Sequence, residues 1–169
     1  MKKIFLLSIK NPVEITVFLL CLGLFSSCSK EKLDLGEVDY LIFGHYYGMC
    51  QGEGCVETFK ITRDQLFEDT NDPYAGGGDF DFQPLEIEKF EQVKDLVEFF
   101  PEKLWNSEEK TFGCPDCADG GGLYIELSGN GRVKSWRIDQ SKRNVPEYLH
   151  NFMEKVNEKI SLINSTQTQ

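Results

Sequence analysis

Residues 123–138 constrain the fold of this chain more than any other stretch. Asn130-Gly131 stands at their centre, and Asn-Gly is the pair that best accepts the positive backbone angles of a two-residue hairpin turn. Before the turn, Leu123, Ile125 and Leu127 alternate with Tyr124, Glu126 and Ser128, the period of a strand with one buried face. With the turn setting the register, Leu123, Ile125 and Leu127 lie opposite Ile138, Trp136 and Lys134 on one face. Tyr124, Glu126 and Ser128 meet Arg137, Ser135 and Val133 on the other. The first face is distinctly more apolar and must be covered by another layer.

Upstream segments supply partners for it. Residues 38–47 are rich in Val, Leu, Ile, Phe and Tyr without a helical period, which predicts a buried strand ended by Gly48. Residues 56–62 alternate and form a second strand with Phe59 and Ile61 inward. Arg63 and Asp64 turn the chain into a third short strand over 65–69. Residues 70–83, with Pro73 and three consecutive glycines, read as a loop that is long for a connector, and such loops carry function more often than short ones. From Ile87 the period becomes helical: Phe90, Val93, Leu96, Val97 and Phe100 share one face opposite Glu91, Lys94, Asp95 and Glu98. Pro101 stops that helix, and Leu104 and Trp105 tuck a last turn against the core. Asn144 is expected to cap a final helix, with Pro146 in its first turn and Glu147 three residues after the cap. Val145, Leu149, Phe152, Val156, Ile160 and Ile163 then keep helical spacing. The order β-β-β-α-β-β-α predicts an α+β fold: a two-layer domain in which a mostly antiparallel sheet of about five strands has two helices packed on one face. No internal repeat is evident.

The N-terminus reads differently. Lys2, Lys3 and Lys10 precede an uncharged, mostly apolar run over residues 15–25, with Ser26 and Ser27 before Cys28. A basic start, a short apolar run and small residues at its end are the parts of an export signal, and the run is short for a membrane span. Leu24-Phe25-Ser26-Ser27-Cys28 resembles the lipobox of bacterial lipoproteins, which implies cleavage before Cys28 and acylation of that cysteine. Phe25 stands where the family more often has Leu. Acyl chains contribute about 0.8 kcal/mol per buried methylene, so several of them anchor a protein durably. Ser29-Lys30-Glu31-Lys32 is similar to the short charged signals that direct some lipoproteins of the Bacteroidota to the cell surface, with one acid where that pattern prefers two. The whole pattern resembles the small lipoproteins common in Bacteroidota, which implies a place in the cell envelope, on the outer membrane facing the periplasm or the surface. Residues 1–27 are thus read as a signal peptide, 28–37 as a lipidated tether, 38–164 as one domain and 165–169 as a frayed tail.

Charge and cysteines bound the function. The whole chain carries −10, and leaving out Lys2, Lys3, Lys10 and Glu14 with the leader (three positive, one negative) makes the rest −12. Basic and acidic residues are interleaved, so no basic stripe exists for a nucleic-acid backbone. Cys50, Cys55, Cys114 and Cys117 form an even set in a chain read as exported, which favours disulfides. Four cysteines allow three connectivities; bridges from the first pair to the second are the expected ones and would staple two distant loops, at about 4 kcal/mol each in the chain-entropy account. Zinc on four thiolates is the alternative, since Cys-x-x-Cys suits half of a tetrahedral site. A redox dithiol is a third reading. Resemblance to thioredoxin stops at the four-residue motif, because residues 118–122 lead into a strand and reactive pairs of that kind open a helix.

Asp69, Asn71, Asp72, Asp79 and Asp81 crowd the long loop and make it a candidate ligand or calcium loop, although their spacing is not that of an EF-hand. The alternative is that they cap their own backbone in turns. The glycine runs 76–78 and 120–122 lack the Walker lysine and read as turns. His45 and His150 accompany no nucleophile motif, so no hydrolytic triad is expected, no catalytic residue is assigned and no cofactor is called for. Tyr46, Tyr47, Tyr74, Phe80 and Phe82 could form a binding face. The resulting expectation is a lipid-anchored, disulfide-stabilised binding protein for a protein or glycan partner. A metal-binding envelope protein and an enzyme with an unrecognised site are the alternatives.

Overall fold

The computed structural model describes residues 35–165. Residues 1–34, which include the stretch read as a signal peptide, Cys28 and the first part of the segment read as a tether, and the last four residues lie outside the described residues. A 3-10 turn at Leu35–Glu37 leads into β1, Val38–Tyr46. β2 is Val56–Thr62, β3 Leu66–Asp69 and β4 Phe82–Pro84. Two short helices follow, α1 at Ile87–Val93 and α2 at Glu102–Trp105. β5 is only Thr111–Phe112, after which β6, Gly122–Gly129, and β7, Arg132–Asp139, form the hairpin. The long helix α3, His150–Ser165, ends the described chain.

The fold is α+β, with seven strands and three helices among the described residues where the sequence pattern predicts about five and two. The sheet order is β4-β3-β2-β1-β6-β7-β5, antiparallel at every pairing except β5 beside β7. The additional strands, β4 and β5, are three and two residues long, too short to show a period. In the hairpin, Leu123 pairs with Ile138, Ile125 with Trp136 and Leu127 with Lys134, as the alternation predicts. Asn130 and Gly131 both take positive φ at its turn, 51° and 71°.

One face of the sheet carries the main core. Leu41, Phe43, Phe59, Ile61, Leu123, Ile125, Trp136 and Ile138 are buried beneath Phe90, Val93, Leu96, Leu149, Phe152, Val156 and Ile160 from the helical side. Each such side chain contributes roughly 1.5–3 kcal/mol by leaving water. Phe100 joins the layers, its ring 5.7 Å from Trp136 and 5.4 Å from Phe152. Buried Lys159 of α3 reaches the Asp95 carboxylate at 2.7 Å and donates to the Gln92 carbonyl at 2.9 Å.

Two local expectations are corrected. The helix from Ile87 is not continuous: Val93 leaves helical geometry (φ −124°, ψ −10°), and Lys94–Phe99 proceeds as a 3-10 segment. The apolar spacing of Phe90, Val93 and Leu96 fits the core through either winding. Asn144 does not cap the last helix, which begins through a 3-10 turn at Glu147–Leu149 after Pro146. Its amide instead donates to Asp139 at 2.7 Å, so a carboxylate in the preceding loop claims the side chain that a helix end would have used.

Candidate functional site

β1 and β3 run in one direction and β2 in the other, so the loops at 47–55 and 70–81 leave the same end of the sheet. Residues 113–121 enter β6 there too, because Tyr46 pairs with Gly122. The chain enters β1 at the opposite end, about 30 Å away for a nine-residue strand.

The cysteines are paired within loops. Cys50 is bridged to Cys55 and Cys114 to Cys117, with Cα atoms 5.5 and 5.4 Å apart. The expected bridges between the two loops are thereby corrected. Each loop closes on itself around a tight turn: Cys114 and Cys117 are the two ends of one, with Cys117 N–H donating to Cys114 carbonyl at 3.0 Å, and in the first loop Cys55 ends a turn in which its N–H donates to Gly52 carbonyl at 3.2 Å. Sulfurs joined in this way offer no thiolate to zinc.

What joins the loops is Asp116, the residue inside the second ring. One of its carboxylate oxygens, Oδ2, accepts the backbone N–H of Gly48 at 3.1 Å and the phenol of Tyr74. The other accepts Gly121 N–H at 3.1 Å, and the Asp116 N–H returns a bond to Gly121 carbonyl at 2.9 Å. All three loops therefore meet on one side chain. The Tyr74 hydrogen bond, followed by that from Gly48, holds the Asp116 carboxyl below its ordinary range; the same bond pushes Tyr74 up to about 12. Stacking reinforces the contact, with the Tyr74 ring edge-on to buried Tyr46 at 5.1 Å.

A second carboxylate anchors the root of this end. Asp139 is 4% exposed and accepts Cys114 N–H at 3.0 Å, Ser141 N–H at 2.7 Å and the Asn144 amide. Burial opposes its ionisation, but these three donors outweigh it and hold the carboxyl low. On the helical side of the same end, His45 Nε2 stands 3.1 Å from Glu57, whose carboxylate also accepts the Asn164 amide at 2.9 Å. Burial acts to raise the Glu57 carboxyl, and the His45 and Asn164 bonds bring it below its usual value. His150 is elsewhere, its Nε2 3.2 Å from the Val145 carbonyl.

The acids of the long loop hold that loop together. Asp69, buried, accepts Asp72 N–H at 2.8 Å and Asp81 N–H at 2.5 Å. Asn71 donates to the Asp79 carbonyl at 3.2 Å, and Asp81 accepts Thr70 and Gln83. These are turn-capping roles. Among the described residues no three His, Cys, Asp or Glu side chains gather as a metal cluster.

The loop's aromatic residues lie over the outer face of the sheet. Phe80 and Phe82 stack at 5.2 Å, Phe80 packs 5.9 Å from Tyr124, and Ile42, Tyr46 and Tyr124 form a second small core beneath. Arg137 of β7 donates to the Ala75 carbonyl at 3.0 Å. Of the aromatic set proposed as a binding face, Tyr46 is interior and Tyr74 is 48% exposed. Met49, at the tip beside Cys50, is 81% exposed. Its only sequence signal is a large apolar residue among glycines in a cysteine-bounded loop.

A groove of about 390 Å³ lies at the other end of the sheet, between Val38–Tyr40, Ile61–Arg63 and Phe90–Glu98, its rim carrying both signs of charge. Among the described residues no helix is long and apolar enough to cross a membrane. No protein-family model matches the chain, and no curated protein is significantly similar to it.

Proposed function

We propose that the chain is a lipid-anchored binding protein of the cell envelope, held at the outer membrane through Cys28 and presenting the loop end of its sheet to a protein or glycan. The observation that carries this reading is the polarity of β1. Residues arriving from the N-terminus enter at Val38, while the two disulfide-closed loops and the 70–81 loop converge at the far end on Asp116. A domain tethered at one end and rigidified at the other displays its rigid end outward. Met49 and Tyr74 supply exposed apolar surface there, of the kind that anchors interfaces. Bound in place by local rings and a shared carboxylate, the loops lose little entropy on engaging a partner. No catalytic residue is assigned in this reading.

The test is site-specific photo-crosslinking on intact cells. A photo-reactive amino acid at position 49 should give a discrete adduct, whereas one at Val133, exposed near the chain-entry end, should not. Equal labelling from both positions, or from neither, overturns the assignment of the binding end. Cys28→Ser should abolish mass-detectable acylation and release the protein from the membrane fraction; retention of both would remove the anchor from the reading.

A further inference from the structure

The two disulfides differ in what surrounds them. Cys50 is exposed, but its partner Cys55 is 8% exposed, at the foot of β2, where its carbonyl accepts Tyr47 N–H at 2.9 Å. Cys114 and Cys117 are both exposed. Backbone conformation sets them apart as well: between residues 113 and 121, three non-glycine residues, Asp116, Ala118 and Asp119, hold left-handed φ angles of 60°, 53° and 59°. Such conformations cost side-chain-bearing residues energy and persist only where surroundings enforce them. Asp116 is held inside the small ring closed by Cys114 and Cys117, and Ala118 and Asp119 lie under the paired hydrogen bonds between Asp116 and Gly121 that continue from it.

We propose that Cys114–Cys117 is a thiol–disulfide exchange site for an external dithiol, and that its opening releases the three loops through Asp116. A disulfide exposed at both cysteines in a constrained loop is open to attack at either sulfur, whereas one with a buried cysteine is shielded on that side. One thiolate of the dithiol attacks an exposed sulfur, forming a mixed disulfide and expelling the other cysteine as thiolate. The second thiol of the reagent then displaces the first cysteine. Two electrons pass from the dithiol to the protein disulfide; the dithiol leaves oxidised, and Cys114 and Cys117 each end with a proton. The chain is thus a substrate of exchange, in keeping with the strand that follows its Cys-x-x-Cys. Once the ring opens, Asp116 can leave the left-handed region. Its carboxylate then no longer meets Gly48 N–H, the Tyr74 phenol and Gly121 N–H together. As far as these loops serve recognition, this inference rests on the binding reading above, but the chemistry is read out without any partner.

The full chain is titrated with dithiothreitol under native conditions, alkylated and mapped by mass spectrometry. Cys114 and Cys117 should become alkylated at about tenfold less reductant than Cys50 and Cys55. In the selectively reduced state, hydrogen exchange should speed up in peptides containing Gly48 and Tyr74. Asp116→Asn in the oxidised protein should reproduce that faster exchange while leaving the order of reduction unchanged. Reduction of Cys50–Cys55 first, or of both pairs together, overturns the site. Unchanged exchange at Gly48 and Tyr74 after selective reduction overturns the coupling. Neither result bears on the photo-crosslinking at position 49, so failure of the switch and failure of the binding face are separable.

Discussion

Tyr74 and Asp116, 42 positions apart in the chain, share a hydrogen bond that fastens the long loop to the ring of Cys114 and Cys117. The bond lies near the surface, so its worth for stability is modest, while its worth for loop order is larger. Tyr74→Phe keeps the ring packing on Tyr46 and removes only the donor. The expected cost is about 1 kcal/mol or less in urea unfolding, with clearly faster proteolysis within residues 70–81. A large stability loss without local opening would contradict this division.

Acid should unfold the protein through a small number of carboxylates. Asp139, Glu57 and Asp116 all titrate below their ordinary values in the folded state. A depressed carboxyl stabilises the fold above its unfolded pKa, about 4, and the contribution is lost as pH falls towards the folded value. The urea midpoint should therefore be flat from pH 7 to about 5 and then decline. Asp139→Asn should cost about 1–3 kcal/mol at pH 7, since it weakens a buried acceptor that serves three donors, and should flatten the decline below pH 4. A parallel decline in the variant would assign the acid sensitivity elsewhere.

Alkali attacks by the opposite sign. Burial, aided by Glu126, pushes Tyr40 up to about 12; burial does the same for Tyr46, and the Asp116 bond for Tyr74. A phenol raised on folding contributes stability that is whole below about pH 10 and is lost between there and its folded value. Phenolate absorbance of the folded chain should rise mainly above pH 11 and coincide with loss of structure. Full titration near pH 10 with structure intact would refute it.

Gly76 tests the packing of the long loop on the outer sheet face. It holds φ of 67°, and a Cβ there would run into the Tyr124 ring. Gly76→Ala should destabilise by about 1–3 kcal/mol and expose the Ile42, Tyr46 and Tyr124 cluster, read as increased dye binding. An unchanged midpoint would mean the loop is not seated on Tyr124 in solution.

How much of this was legible depends on the range of the forces involved. Asn130-Gly131 and the alternation around it suffice for the hairpin register, and the period of β2 for the burial of Phe59 and Ile61, because turn chemistry and pleat are local. The break at Val93 was not legible: Phe90, Val93 and Leu96 meet the core whichever way the segment winds. Nor was the two-residue β5, whose pairing with Arg137 and Ile138 is purely tertiary. At the site, the cysteines and the acids Asp69 to Asp81 stood out by type, but their roles are set by neighbours. Asp116 carries no signal in the sequence beyond lying between two cysteines, and only folding brings Gly48 and Tyr74 to it. Asn144 followed the statistics of helix caps, and Asp139 bound it first.

β1 is both the middle strand of the sheet and the first to be synthesised. Its second neighbour arrives late: the Ser128 hydroxyl bonds Asp39 across 89 positions. Until β6 is delivered, the most apolar strand of the domain has one bare edge, the condition that invites pairing with other chains. The order of emergence thus makes the nascent domain dependent on being shielded until its last third is made. A chain ending at residue 121 should accumulate as insoluble aggregate, and supplying residues 122–165 in trans should restore solubility.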